Sequence, residues 1–293
     1  MKDRNIPHSV ATRLLHLARI GGESYEFILL RYGAERLLYR LSRSDAADRF
    51  LLKGASLFLI WNGCHYRPTR DIDLLGYGSP DLSGLTDFFR TLCKEDRSQE
   101  DGLVFLPDSV QAERIKEEQD YEGVRVRLRA LLQNARIDLQ IDIGFGDRVV
   151  PAAAIAEFPV LLDAPAPRMR VYPKETAFAE KLQTIVARGL ANSRLKDYLD
   201  LWMLSRSDID KTSLTQAIRA TFSHRGTDIP RELPPGLSLT FAQNPDRVKQ
   251  WTALLQRVTM ETCPASLEKT ISELNLYVSP LFASLIRGEQ MPL

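Results

Sequence analysis

An α+β fold, a mixed β-sheet flanked by helices and followed by a C-terminal helical bundle, is the class this sequence predicts. Three observations carry it. Between residues 50 and 145, runs with strand alternation such as "DIDLL" and "GVRVRLRALL" are separated by stretches of helical spacing. A proline-rich segment, "DAPAPRMRVYP" at 163–173, then breaks the pattern. Beyond it, the patterned stretches are helical throughout. A domain boundary is expected there, dividing 1–165 from 166–293.

The elements follow in order. "HSVATRLLHLARI" and "GESYEFILLRYGAERLLYRL" space their apolar residues as amphipathic helices, with Ser9 expected to cap the first and Ser24 the second. "RFLLKGASLFLIWNG" reads as a strand through Leu52, a small-residue turn from Lys53 to Ser56 and a helix ending at Gly63. After the "DIDLL" strand, "SGLTDFFRTLCKE" is helical, and "LVFLP", "GVRVRLRALL" and "RIDLQIDIGF" are further strands. Val124, Val126 and Leu128 alternate with Arg125, Arg127 and Arg129, the pattern of a sheet with one wet face. In the C-terminal part, "KETAFAEKLQTIVARG", "SRLKDYLDLWML", "TSLTQAIRATF", "PDRVKQWTALLQRV" and "SLEKTISELNLYVSPLFASLI" are expected helices. "SHRGTDIPRELPPG" is an expected exposed loop or lid.

Bulk properties limit the function classes. The chain has 293 residues, 44% hydrophobic and 26% charged, enough for one large or two ordinary domains. A net charge of +1 gives no global attraction for polyanions, so any nucleic-acid contact must come from a local patch. The three cysteines, Cys64, Cys93 and Cys263, are widely separated and suit a reducing compartment, so a cytoplasmic protein is expected. No run approaches the length of a membrane span, and "MKDRNIPHSVATRLL" lacks the apolar core of a secretory signal. His8, His16, His65 and His224 lack ligand spacing, and Cys64 beside His65 reads as a helix end. Trp61, Trp202 and Trp251 fall in apolar helical stretches and read as core.

The carboxylates are more telling. Asp71 and Asp73 stand two apart in a strand, hence on one face, while Ile72 and Leu74 point the other way. Paired carboxylates call for a counter-charge, and a divalent cation supplies one. "KGAS" at 53–56 precedes them, a small-residue turn into a helix that offers backbone N–H groups to a phosphate. Asp142 arrives on a later strand between apolar Ile141 and Ile143. Three carboxylates near such a turn describe a two-metal site for phosphoryl or nucleotidyl transfer, with ions roughly 3.5–4 Å apart. Asp138 shares the alternation of Asp142 and is equally explained as a strand-edge charge.

The blocks "KGASLFLIW…RPTRDIDLL", "LQIDIGFGD" and "YPKETAFAEKLQTIVARGLANSRLKDYLDLWML" together resemble the AbiEii-type nucleotidyltransferases, the toxins of AbiE-like and MenT-like bacterial toxin–antitoxin systems. The resemblance spans about residues 48–206. It implies the polymerase-beta-like nucleotidyltransferase fold, with Ala55 standing where many relatives carry Gly or Ser. Asp71, Asp73 and Asp142 would then be the metal ligands for Mg²⁺, and Asp142 could also help deprotonate an attacking hydroxyl. Gly54 and Ser56 would touch the nucleotide's phosphates, with Arg67 and Thr69 beside them. The "EK" and "[RK]-D-x-x-D" blocks would bring Lys181, Lys196, Asp197 and Asp200 to the site, with Lys181 on the triphosphate and one of the two aspartates orienting that lysine or the substrate.

Spacing adds independent support, because Asp197 and Asp200 are three apart on one helix face; a solvated helix with ordinary ion pairs explains that spacing as well. From Arg168 to Arg206 there are eight Lys or Arg against four Asp or Glu, a local positive excess. The Arg125, Arg127 and Arg129 stripe either extends such a patch or is simply an exposed sheet face. The function expected from the resemblance is Mg²⁺-dependent transfer of a nucleoside monophosphate from an NTP to an acceptor, with release of pyrophosphate. It further implies the tRNA 3′ end as acceptor and a cognate antitoxin as partner. Transfer to a protein or small hydroxyl compound, and a non-catalytic nucleotide-binding regulator, are the alternatives.

Overall fold

The structure is a computed structural model that describes residues 5–63, 67, 69–116, 122–258 and 263–288. Cys64 and His65 lie outside the described residues. The described chain falls into two compact units. One comprises residues 5–63, 69–146 and 155–171, the other residue 67 and residues 147–154 and 172–288.

The first unit opens with helices α1 (Ile6–Gly21) and α2 (Tyr25–Arg43). Asn5, not Ser9, caps α1, its side chain accepting from the His8 amide at 3.1 Å; Pro7 favours the first turn, so the helix begins earlier than the apolar spacing suggests. Ser24 caps α2 as expected, accepting from the Phe27 amide. Strand β1 (Phe50–Lys53), helix α3 (Leu57–Asn62), strand β2 (Ile72–Gly76) and helices α4 (Leu82–Cys93) and α5 (Ser98–Asp101) follow. The long strands β3 (Leu103–Lys116), β4 (Glu122–Leu132) and β5 (Ala135–Phe145) form an antiparallel meander. Two short strands, β6 (Ala154–Glu157) and β7 (Arg168–Val171), complete a seven-stranded sheet of order β3-β4-β5-β2-β1-β7-β6. It is mixed: β2 runs parallel to β5 and β1 parallel to β7, while β1 and β2 are antiparallel.

One face of this sheet is apolar. Val124, Val126, Leu128, Ile137, Leu139, Ile141 and Ile143 are buried on it, and α2 packs there with Gly33 in close approach to Ile137 and Leu139. Burying these branched side chains fully stabilises the sheet by about 1.5–3 kcal/mol apiece in transfer terms. Charges are also buried in this unit. Arg40 donates to Asp101 at 2.6 Å, and Glu35 pairs with Arg36 at 2.9 Å while accepting from the Leu161 amide at 2.7 Å.

The second unit is built of helices: α6 (Lys174–Arg188), α7 (Leu195–Ser205), α8 (Lys211–His224), α9 (Leu239–Ala242), α10 (Pro245–Leu255) and α11 (Leu267–Arg287). Their shared core includes Phe178, Leu182, Ile185, Leu199, Leu201, Ile218 and Leu274. Trp202 and Trp251 are buried in it, as their helical spacing suggests. The loop after α8 is largely exposed or half-buried, except near Gly236, whose carbonyl accepts from the buried Tyr198 hydroxyl at 2.8 Å. No helix among the described residues is long and apolar enough to cross a membrane.

Candidate active site

The first unit gathers its carboxylates by strand register. Asp73 on β2 lies between Lys53 of β1 and Asp142 of β5, and Asp142 in turn lies opposite Arg125 of β4. Directly opposed residues share a sheet face, so Arg125, Asp142, Asp73 and Lys53 form one row across four strands. It lies on the wet face, opposite the apolar side chains of Ile72, Ile141 and Val126. Central strands hold this row, and such strands position side chains more tightly than loops do.

Arg125 grips Asp142 at both oxygens. Its Nε donates to Oδ1 at 2.8 Å and its Nη2 to Oδ2 at 2.7 Å, while Gln140 Nε2 reaches Oδ2 at 3.4 Å. This is the planar two-bond fork that guanidinium and carboxylate form best. The hydrogen bond to Asp142 is the main cause that raises the Arg125 pKa, and the charge of Asp71 adds to it. Asp71 itself precedes the strand, which starts at Ile72, and is exposed at a bend.

The turn before α3 is fitted to Asp73. Gly54 has φ of 76°, and a Cβ there would lie 2.0 Å from Asp73 Oδ2 and 2.6 Å from its Cγ. Glycine is therefore required at this position by conformation and by contact together. Ala55 and Ser56 are buried, and the Ser56 hydroxyl donates to the Lys53 carbonyl at 3.2 Å. The Thr69 hydroxyl is buried without a hydrogen-bond partner among the described residues.

A cleft of about 820 Å³ opens on the same unit, bordered by Arg70, Asp71, Arg127, Arg129, Asp138 and Gln140. Its arginines are largely compensated: Arg127 pairs with Glu113 at 2.7 Å, and Arg129 and Arg136 share Asp138 at 2.8 and 3.4 Å. With Arg125 on Asp142, every member of the stripe expected from the sequence has an acidic neighbour. The stripe adds little net positive field.

The second unit carries its own cluster. Asp200 on α7 is fully buried and accepts from Arg67 Nε at 3.0 Å and Nη2 at 2.9 Å, while Lys181 Nζ of α6 lies 2.7 Å from its Oδ2. Asp197, one turn earlier, meets Lys181 at 3.4 Å and Arg194 at 2.7 Å. Burial pushes the Asp200 carboxyl up, but the Arg67 and Lys181 charges overcome it and hold the group well below the usual carboxylate range. Burial likewise pulls Lys181 down, and Asp200 and Asp197 reverse that, so its ammonium stays charged. Both aspartates thus orient the lysine, with Asp200 the closer.

Of the residues expected at a site, the sheet unit therefore holds Gly54, Ser56, Asp73 and Asp142 around one turn and one row, with Asp71 at the exposed bend before β2. The helical unit brings together Arg67, Lys181, Asp197 and Asp200. Lys196 is exposed while its neighbours Asp197 and Asp200 are buried, because the three-residue spacing puts the aspartates on the inner face. Sequence reasoning missed Arg194, which its spacing three before Asp197 could have flagged. It also missed the Arg225 network, in which Arg225 bonds Asp147 at 2.8 Å and Gln183 at 3.0 Å.

Hard oxygen donors suit Mg²⁺. Among the described residues no three His, Cys, Asp or Glu side chains lie close enough together to hold a metal ion. Mg²⁺ rarely needs such a cage, since it commonly takes one or two carboxylates and completes its shell with water and substrate phosphates. Asp73, against a turn that leaves no room for a Cβ, and Asp71 at the exposed bend just before its strand fit that pattern.

The profile described as "Nucleotidyl transferase AbiEii toxin, Type IV TA system" matches residues 36–272. No curated protein sequence matches the chain. Among solved structures, the chain is similar to MenT4, a nucleotidyltransferase toxin of Mycobacterium tuberculosis, with 18% identity and TM-score 0.47 over 95% of this chain and 98% of that one. It is similar to JHP933 of Helicobacter pylori at 15% identity and TM-score 0.46, covering 86% and 90%. A nucleotidyltransferase-like antigenic protein of Paracoccidioides brasiliensis matches at 13% identity and TM-score 0.37, covering 90% and 94%.

Proposed function

This chain belongs to the AbiEii nucleotidyl transferase toxin family of toxin–antitoxin systems, and from that membership we propose that it uses Mg²⁺ to move a nucleoside monophosphate from an NTP onto an acceptor hydroxyl, releasing pyrophosphate. It is a nucleotidyltransferase. The proposed acceptor is the tRNA 3′ end, the proposed regulator a cognate antitoxin, and the proposed location the cytoplasm.

The observation that supports this most is the cross-strand row, with Asp73 between Asp142 and the Gly54 turn. In the proposed reaction the acceptor oxygen bonds to the α-phosphorus, the bond from that phosphorus to the bridging oxygen of the β-phosphate breaks, and the hydroxyl proton passes to solvent. Asp71 and Asp73 would hold the divalent cation, and Asp142 completes the acidic set. Mg²⁺ would supply electrostatic stabilisation of the charge that moves onto the leaving pyrophosphate. The Gly54 backbone, Ser56, Arg67, Thr69 and Lys196 are the proposed nucleotide contacts. Lys181, held charged by Asp200 and Asp197, is the proposed cation for the triphosphate.

One observation favours a second acceptor class. The arginines of β4 are each offset by an acid, so the sheet face offers little attraction for a long polyanion. A protein or small hydroxyl acceptor is compatible with that balance. The deciding experiment incubates the purified chain and Mg²⁺ with each α-labelled NTP, with and without total tRNA, beside an Asp71→Ala, Asp73→Ala variant. Label on tRNA from wild type alone supports the first reading, and labelled product without RNA supports the second. No labelled product in any arm, from folded protein, contradicts both.

A further inference from the structure

We propose that Arg125 is a positioning residue of the carboxylate site: its guanidinium occupies the place a second divalent cation would take on Asp142, so that the loaded site holds one divalent ion per chain, on Asp71 and Asp73. This rests on the metal role given to those two aspartates above. The geometry carries it. Both Asp142 oxygens already accept from Arg125, at 2.8 and 2.7 Å, and Gln140 makes a third contact. A metal ion on either oxygen would have to displace one arm of the fork, or sit against a guanidinium that remains protonated at any working pH.

Arg125 is also poorly placed to leave. It projects from β4 between Val124 and Val126, both fully buried, in a strand hydrogen-bonded on either side. Its backbone is thus fixed in register with Asp142, and swinging the fork away would leave a half-buried carboxylate without its charge partner.

The test is Mn²⁺ binding to the full chain, followed by the electron paramagnetic resonance signal of free Mn²⁺. Wild type is expected to bind one ion per chain, and Asp142→Asn to keep that count of one. Arg125→Met frees the third carboxylate, so it should bind a second ion or tighten the first by about tenfold. Adding Asp142→Asn to Arg125→Met should abolish that gain, which a merely structural role for Arg125 would not produce. Two ions on wild type, one of them lost in Asp142→Asn, would overturn the proposal without touching the metal role of Asp71 and Asp73. Unchanged binding in a folded Arg125→Met would also overturn it. If Arg125→Met fails to fold, the wild-type count and the Asp142→Asn variant still decide. Binding that survives Asp71→Ala, Asp73→Ala, or no binding by wild type, would instead remove the metal reading itself, and this inference with it.

Discussion

Replacing Asp200 with Asn tests the buried cluster of the helical unit. The carboxylate is fully buried and balances two cations, Arg67 through a two-bond fork and Lys181 at 2.7 Å. Asparagine keeps the shape but leaves both cations short of a counter-charge, a change that costs about 3–5 kcal/mol for buried pairs. Lys181 retains Asp197 at 3.4 Å, which puts the expected loss near the lower end, about 3 kcal/mol. In urea this corresponds to a midpoint shift of about 1 M if the helical unit unfolds with an m-value near the top of the usual range. The exposed Asp208→Asn serves as control and should stay within about 0.5 kcal/mol. The pH dependence has a fixed sign. The folded carboxyl lies below its ordinary value of 3.8, so its stabilisation is present above that pH and lost on further acidification. A loss below about 1 kcal/mol at neutral pH would refute the view that Asp200 is the cluster's central charge.

Two further outcomes are expected. Gly54→Ala should displace Asp73, because the new Cβ would lie 2.0 Å from its Oδ2 in a backbone with φ of 76°. Strain of this kind costs about 1–3 kcal/mol; calorimetry should show a lowered melting temperature and Mn²⁺ titration a weakened ion, whereas a variant that melts and binds like wild type would contradict the geometry. Glu35, raised by burial from 4.5 to about 7 against the pull of Arg36 and the Leu161 amide, has the opposite pH sign to Asp200. Its raised folded value means that its contribution is full below pH 4.5 and lost as pH rises through about 7. Denaturation of wild type and Glu35→Gln across that window should show wild type losing ground with rising pH, and parallel curves would reject the assignment.

Much of this was legible because it is local. Alternation put Asp73 and Asp142 on the wet face of their strands, and small residues at 54–56 marked the turn. Three-residue spacing put Asp197 and Asp200 together on one face of α7, and their burial in the structure makes it the inner one. What stayed hidden depends on pairing between distant segments. The fork between Arg125 and Asp142 follows from the register of β4 on β5, and the one between Arg67 and Asp200 joins residues 133 apart. Strand β3 runs from Leu103 to Lys116, well past the "LVFLP" run, because a register shift between Leu106 and Gln111 interrupts its alternation. β6 and β7 are four residues each, and β7 lies in the proline-rich segment read as a break; its pairing with β1, not its own sequence pattern, makes it a strand.

If the row around Asp73 carries nucleotidyl transfer, Asp73→Asn should stop it, since the change removes one charge at nearly constant shape. The measurement is the rate at which label from an α-labelled NTP reaches the acceptor, with thermal unfolding of the same preparations alongside. The expected rate is lower by on the order of a hundredfold or more, with folding preserved. A folded Asp73→Asn protein that transfers label within about twofold of wild type would contradict it.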